Sequence, residues 1–329
     1  MKKIIVFFCC MLFITGCKKN SSKDIINEIN KKVEKSDNYQ IVATLDIYRN
    51  EEKFSYDVIS TYKKDNFFKV QLTNNQNNHE QIILKNENSV YVLTPSLNKS
   101  FKFQSEWPYN NSQIYLLQPI LMDIKSDKKS EFKIEKEGYL VTSKVNYLNE
   151  KNYKKQKVYI NKDKNIKKIE VLDSSNEIKM CMKVISIKYN IDLDNQFFGV
   201  EKYVKDKRNN DKLKEKVSSI KDITYPMYVP EKTYLSSQEI VNTENGERVI
   251  LTFSGNSQFT LIQENLENYN EINYVYGDPY LILDTVGSVT DSSISWISND
   301  VEYTVISDTI EIDELLTVAQ SISVKPVGK

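Results

Sequence analysis

The sequence predicts an α+β fold built on a long curved antiparallel sheet, a half-barrel with helices on its concave face, followed by a smaller α+β domain. Three observations lead there. Apolar residues alternate with polar ones at period two over most of 39–189, helical spacing is confined to short segments, and the charge balance reverses partway along the 329 residues. From Cys17 to Ser218 there are 38 Lys plus Arg against 28 Asp plus Glu, a balance of +10. From Ser219 to Lys329 there are 5 against 17, a balance of −12. Halves that differ by 22 charges read as different domains: 17–200, a charged linker at 201–222, and 223–329. Opposite charges also suggest a salt-sensitive contact between them.

Element by element, Ile25, Ile26, Ile29 and Val33 fall on one face of a helix between Ser22 and Lys35, with Ser22 or Asp24 near its start as a cap. Strands follow at Tyr39 to Arg49, Lys53 to Lys64, Phe67 to Thr73, Gln81 to Lys85, Ser89 to Thr94 and Ser100 to Phe103, divided by Asn, Asp and Lys turns. The apolar stretch Ser112 to Ile124 reads as a helix that Pro119 should kink or split. Strands resume at Glu131 to Glu135, Tyr139 to Leu148, Lys154 to Asn161, Ile166 to Asp173 and Lys179 to Tyr189, and the pattern ends in Asn190 to Val200. In the second domain, strands are expected at Glu247 to Ser254, Gln258 to Glu264, Leu281 to Val286, Ser288 to Ser298 and Val301 to Ser307, before a helix at Ile312 to Ser321.

The N-terminus carries an address. Met1-Lys2-Lys3, the apolar run Ile4 to Phe13 and Ile14-Thr15-Gly16-Cys17 have the order of a secretory signal, 1–16, and the run is too short to span a bilayer. Ile-Thr-Gly-Cys resembles a bacterial lipobox. The resemblance implies a diacylglyceryl thioether on Cys17, a palmitate-type anchor, and a chain held at the outer face of the cytoplasmic membrane or of a spore membrane. Two acyl chains make such attachment stable where one is marginal. With Cys9 and Cys10 in the signal and Cys17 lipidated, Cys181 alone remains, so no internal disulfide forms.

Catalytic chemistry has little to stand on, and the chain is expected not to be an enzyme. The sole histidine, His79, sits in a polar turn, which excludes an HExxH pair, and glycine is scarce with no phosphate loop. No metal or cofactor is expected. Glu311, Asp313 and Glu314 open a helix, where the macrodipole favours acids. The lysines are dispersed through strands, so no nucleic-acid partner is expected. Trp107, Tyr109, Tyr115, Leu116, Leu117, Ile120 and Leu121 form the candidate hydrophobic face for a ligand or partner; the alternative is that they complete the core. An interior of that kind would suit an acyl chain unless the helices fill it.

The order of helix, strand meander, SVYVLTPSLNKSFKF at Ser89 to Phe103, apolar helix, further strands and IDLDNQFF at Ile191 to Phe198 resembles the LolA/RseB-type lipoprotein-carrier fold over 22–200. YPMYVP, GERVILTFSG, FTLIQE and DELLTVAQSI in the second half resemble the appended domain of Gram-positive members, the sporulation lipoprotein-sorting proteins and GerS-like germination lipoproteins. That resemblance implies an anchored adaptor for a peptidoglycan-modifying enzyme such as a cortex amidase, or another envelope protein. A lipid or lipoprotein chaperone and an RseB-like sensor of envelope state are the alternatives.

Overall fold

The computed structural model describes residues 22–49, 52–87, 89–97, 99–203, 220, 222–243, 246–265, 272–282, 284–298 and 301–322. The signal at 1–16 and Cys17 lie outside them, as does most of the expected linker.

Helix α1 (Ser22–Lys35) buries Ile25, Ile26, Ile29 and Val33, the expected stripe, and Ser36 Oγ closes it on Lys32 O at 2.7 Å. Strands β1 (Asn38–Arg49), β2 (Glu52–Lys63), β3 (Phe67–Asn74), β4 (Glu80–Lys85), β5 (Val90–Thr94) and β6 (Lys99–Phe103) follow as an antiparallel meander. Asp65 and Asn66, both at positive φ, turn β2 into β3, a backbone state that short polar side chains tolerate. After helix α2 (Leu117–Ser126) come β7 (Glu131–Glu135), β8 (Gly138–Lys144), β9 (Tyr153–Asn161), β10 (Ile166–Asp173) and β11 (Ile178–Tyr189), and β11 pairs with β1.

The expected helix at Ser112 to Ile124 is shorter at its start. Residues 112–116 are not helical, with a turn at Ile114 and Tyr115, and Pro119 lies in the first turn of α2, where the missing N–H costs no helical bond. Pro119 thus helps begin the helix and does not split it. Both helices pack on the inner face of the sheet, joining Tyr39, Ile41, Leu45, Val58 and Phe68 in one core.

Strands β4 and β5 are apolar on both faces because both are covered. Inward, Ile83, Val90 and Val92 join the main core; outward, Ile82, Leu84, Tyr91 and Leu93 meet Val200 and Tyr203. Asn190 to Val200 is therefore a strap across the outside of the sheet. Asn86 Nδ2 donates to Phe198 O at 3.3 Å, and Lys69, 4% exposed, places its ammonium 4.4 Å from the Phe197 ring centre.

The second half forms a seven-stranded sheet from β12 (Thr233–Thr243), β13 (Gly246–Gly255), β14 (Phe259–Asn265), β16 (Asp278–Ile282), β17 (Thr285–Val289), β18 (Ser293–Ser298) and β19 (Val301–Ile306), in the order β12-β13-β14-β19-β18-β17-β16. Helix α3 (Ile312–Ser321) covers it. Two expected strands are each divided. β16 ends at Ile282 and β17 begins at Thr285, and Thr290 to Ser292 separates β17 from β18, where Thr290 Oγ1 accepts the Ser292 and Ser293 N–H groups at 3.3 and 2.9 Å. Strand β12 is an addition that the alternation did not predict.

The halves are joined through backbone. Strand β15 (Ile272–Val275), from the second half, pairs parallel with β6 and becomes the edge of the first sheet, now twelve strands. Three carboxamides pin distant segments of the chain together. Asn38 exchanges two bonds with Ile191 (2.8 and 3.0 Å), Gln263 two with Thr224 (2.9 and 2.7 Å) and Gln81 two with Val286 (2.5 and 3.4 Å). Each amide presents the donor and acceptor of a strand neighbour, so buried backbone groups stay satisfied. One ion-pair cluster across the seam is peripheral. Lys151 reaches Glu311 at 2.9 Å and Asp313 at 4.0 Å from an exposed position, where such pairs contribute about 0–1 kcal/mol. That cluster adds little to a junction of apolar contact and hydrogen bonds.

Candidate functional site

Six of the seven residues singled out in the sequence are interior: Trp107 and Leu116 are fully buried, and Tyr115, Leu117, Ile120 and Leu121 nearly so. The reason is that the segment 105–121 is gripped from both sides. Trp107 stands edge-on to Phe68 at 6.0 Å, its backbone N–H donates to Ser105 Oγ at 2.9 Å, and Lys85 Nζ donates to its carbonyl at 2.5 Å. Leu117 N–H donates to Tyr39 Oη at 3.1 Å, and that hydroxyl donates to Gln118 Oε1. Gln156 Nε2 reaches Ile120 O at 3.2 Å. Burial raises the Tyr39 and Tyr115 hydroxyls above the usual tyrosine range, so both stay neutral hydrogen-bonding groups.

Tyr109 alone meets solvent. It is 37% exposed, edge-on to Phe68 at 5.8 Å, donates to Asn66 Oδ1 at 3.0 Å, and has its hydroxyl pushed up to about 12 by burial of the ring. The second half closes the remaining side. Asp278 accepts from Asn110 Nδ2 at 2.6 Å and from Ser105 Oγ, and Val286 and Leu281 pack into the main core.

A cavity of about 40 Å3 lies between Leu45, Ile47, Tyr115, Tyr147, Tyr153 and Tyr280. It has room for a few waters, against roughly 300–1,000 Å3 in a ligand pocket. Arg49, at its edge, is ion-paired with Glu150, which also accepts from Gln320 Nε2 at 3.4 Å, and lies 5.6 Å from the Tyr153 ring centre. Sequence reasoning missed these seam residues. Arg49, Gln81, Glu150 and Asp278 carry no local pattern, and only the scarcity of arginine marks the first of them.

A half-buried acid sits beside the cavity wall. Ser112 Oγ donates to Asp123 Oδ2 at 2.7 Å and accepts the Asn146 N–H at 2.7 Å. Burial lifts the Asp123 carboxyl to about 6 from 3.8, partly opposed by the Ser112 hydrogen bond. Between those values the folded chain binds more protons than the unfolded one, so stability falls as pH rises through the window, and the cost is complete above it. Asp123→Asn is expected to stabilise the protein at pH 7.5 by on the order of 1–2 kcal/mol, and to give no gain at pH 4. Urea unfolding at the two pH values checks this, and equal effects at both would refute it.

Among the described residues no group of three or more His, Cys, Asp or Glu could hold a metal ion, and no helix is long and apolar enough to cross a membrane. His79 lies in the β3–β4 turn, 3.4 Å from Ser96 Oγ. Cys181 is buried in β11, with its thiol raised by desolvation.

The architecture is that of the α+β half-barrel class, an open curved sheet with its helices inside and a second sheet appended. No family model matches the chain. It is 31% identical over 315 residues to the "Sporulation protein YdcC" of Bacillus subtilis (strain 168), an alignment covering 95% of this chain and 93% of that protein, and it belongs to that protein's family. Two solved complexes are looser likenesses. The MucA/MucB complex of Pseudomonas aeruginosa aligns at 11% identity over 91% of this chain and 97% of that one, with a TM-score of 0.33. The CwlD amidase of Clostridioides difficile with the GerS lipoprotein aligns at 17% over 54% and 97%, with a TM-score of 0.27. Superposition this loose says nothing of role.

Proposed function

We propose that this chain is a lipid-anchored, non-catalytic adaptor acting outside the cytoplasmic membrane during spore formation, through a peptidoglycan-modifying enzyme such as a cortex amidase. The observation that carries the reading is its near full-length relation to a sporulation protein. The lipobox at Ile14 to Cys17 supplies the anchor. The amidase class comes from the GerS-like resemblance of the two halves. The cavity beside Tyr115 and Tyr280, at about 40 Å3, is too small for an acyl chain, which favours an adaptor over an acyl-chain chaperone at that position.

The test is affinity purification of the full chain, tagged at its C-terminus, from sporulating cells, with proteins and lipids both identified by mass spectrometry. A wall amidase in near-stoichiometric amount is expected, together with altered cortex in a clean deletion. Normal cortex in the deletion, or bound lipid without any wall enzyme, would overturn the adaptor reading.

A further inference from the structure

Strand β12 is a long edge with few of the usual safeguards. Among the described residues nothing pairs with its outer side, it contains no proline, and Glu239 is its one charged residue in Thr233–Thr243. Tyr234, Leu235, Ile240 and Val241 are 63%, 40%, 54% and 41% exposed. Such an edge invites another strand, and its register indicates which one.

In a regular strand, residues five apart point to opposite faces. Here a bulge between Leu235 and Ser237 shifts the phase by one. Leu235, Gln238 and Ile240 lie opposite Phe253, Leu251 and Val249, all buried, so they share the inner face of the sheet. Tyr234, Ser237, Glu239 and Val241 lie opposite Ser254, Thr252, Ile250 and Arg248, on the outer face. The bulge makes the strand match itself when reversed about Gln238.

We propose that β12 pairs antiparallel with β12 of a second copy of this chain, with the two-fold axis passing through Gln238. With Ser236 set aside as the bulge, Leu235 of each copy meets Ile240 of the other on the inner face, and Tyr234 meets Val241 on the outer face. Ser237 meets Glu239, so no like charges lie directly opposite. Tyr225, 45% exposed and donating to Gln238 Oε1 at 2.6 Å, flanks the axis on the inner side. The two seven-stranded sheets then form one continuous sheet, an isologous contact in which each apolar residue is covered by its counterpart.

Cysteine pairing in membranes holding the full-length chain tests this. Gln238→Cys places the two introduced thiols on the axis, within the span of directly opposed residues. Thr243→Cys places them about 30 Å apart at the strand rise. On mild oxidation Gln238→Cys is expected to give a disulfide-linked dimer, with at least tenfold less from Thr243→Cys and from the parent chain, whose Cys181 is buried. Adding Leu235→Lys and Ile240→Lys to Gln238→Cys should cut the dimer at least tenfold with an unchanged melting temperature. Equal yields at 238 and 243, no dimer at either, or capture of a different protein at 238 would each overturn the second copy as occupant.

Discussion

Trp107→Ala is expected to destabilise the protein by about 3–5 kcal/mol, the range for removing a fully buried tryptophan, with urea unfolding as the measurement. The side chain is fully enclosed against Phe68, and its backbone is held by Ser105 and Lys85, so the surroundings have little freedom to collapse into the space. Tyr109→Ala supplies the contrast. That ring is 37% exposed, and its loss should cost about 1 kcal/mol, the hydroxyl bond to Asn66 included. If the segment instead served as a docking rim, the sizes would be reversed, with capture of the partner falling at Trp107 and stability barely moving. A Trp107→Ala cost under about 1 kcal/mol would refute the core assignment.

Gln81→Leu is expected to cost about 2–4 kcal/mol and to loosen the seam selectively. Leucine approximates the volume but leaves the Val286 N–H and C=O without the amide that now satisfies both, and each orphaned group costs about 1–3 kcal/mol. Gln81 is 5% exposed, so water replaces the amide only if the seam opens. Hydrogen exchange should therefore accelerate at Val286 and along β16 and β17 while β1 and β11 keep their protection. Uniform acceleration across both sheets would show that Gln81 serves general packing and not the junction. Gln81→Glu sharpens the comparison, because a carboxylate accepts from the Val286 N–H but, when ionised, cannot donate to the carbonyl.

The first sheet was legible in the sequence because one face of it is buried. Tyr39, Ile41, Ala43, Leu45 and Ile47 alternate inward along β1, and a strand half in water has to show that period. β12 was illegible for a definite reason, since the bulge at Ser236 breaks the phase and its apolar residues lie exposed on both faces. The candidate site was legible as composition but not as placement. An aromatic cluster at 107–121 reads equally as rim or core until the residues that cover it are known, and Asp278, Leu281 and Val286 arrive from the far half of the chain. Gln81 shows the same limit, because nothing near it announces that its amide will meet Val286.

Synthesis runs from the N-terminus, so residues 22–203 exist before β15 does. Until Ile272–Val275 are made, the Lys99–Phe103 edge of the first sheet stands open, and the parallel pairing that closes it depends on a distant crossover, a slow kind of contact to form. The first sheet is therefore completed last, by a piece of the other half. A chimera joining the first half of this protein to the second half of a relative at 204–219 would transplant that closing strand along with everything else. The halves are matched parts, and exchange between relatives would have to preserve the fit of four residues far from the splice.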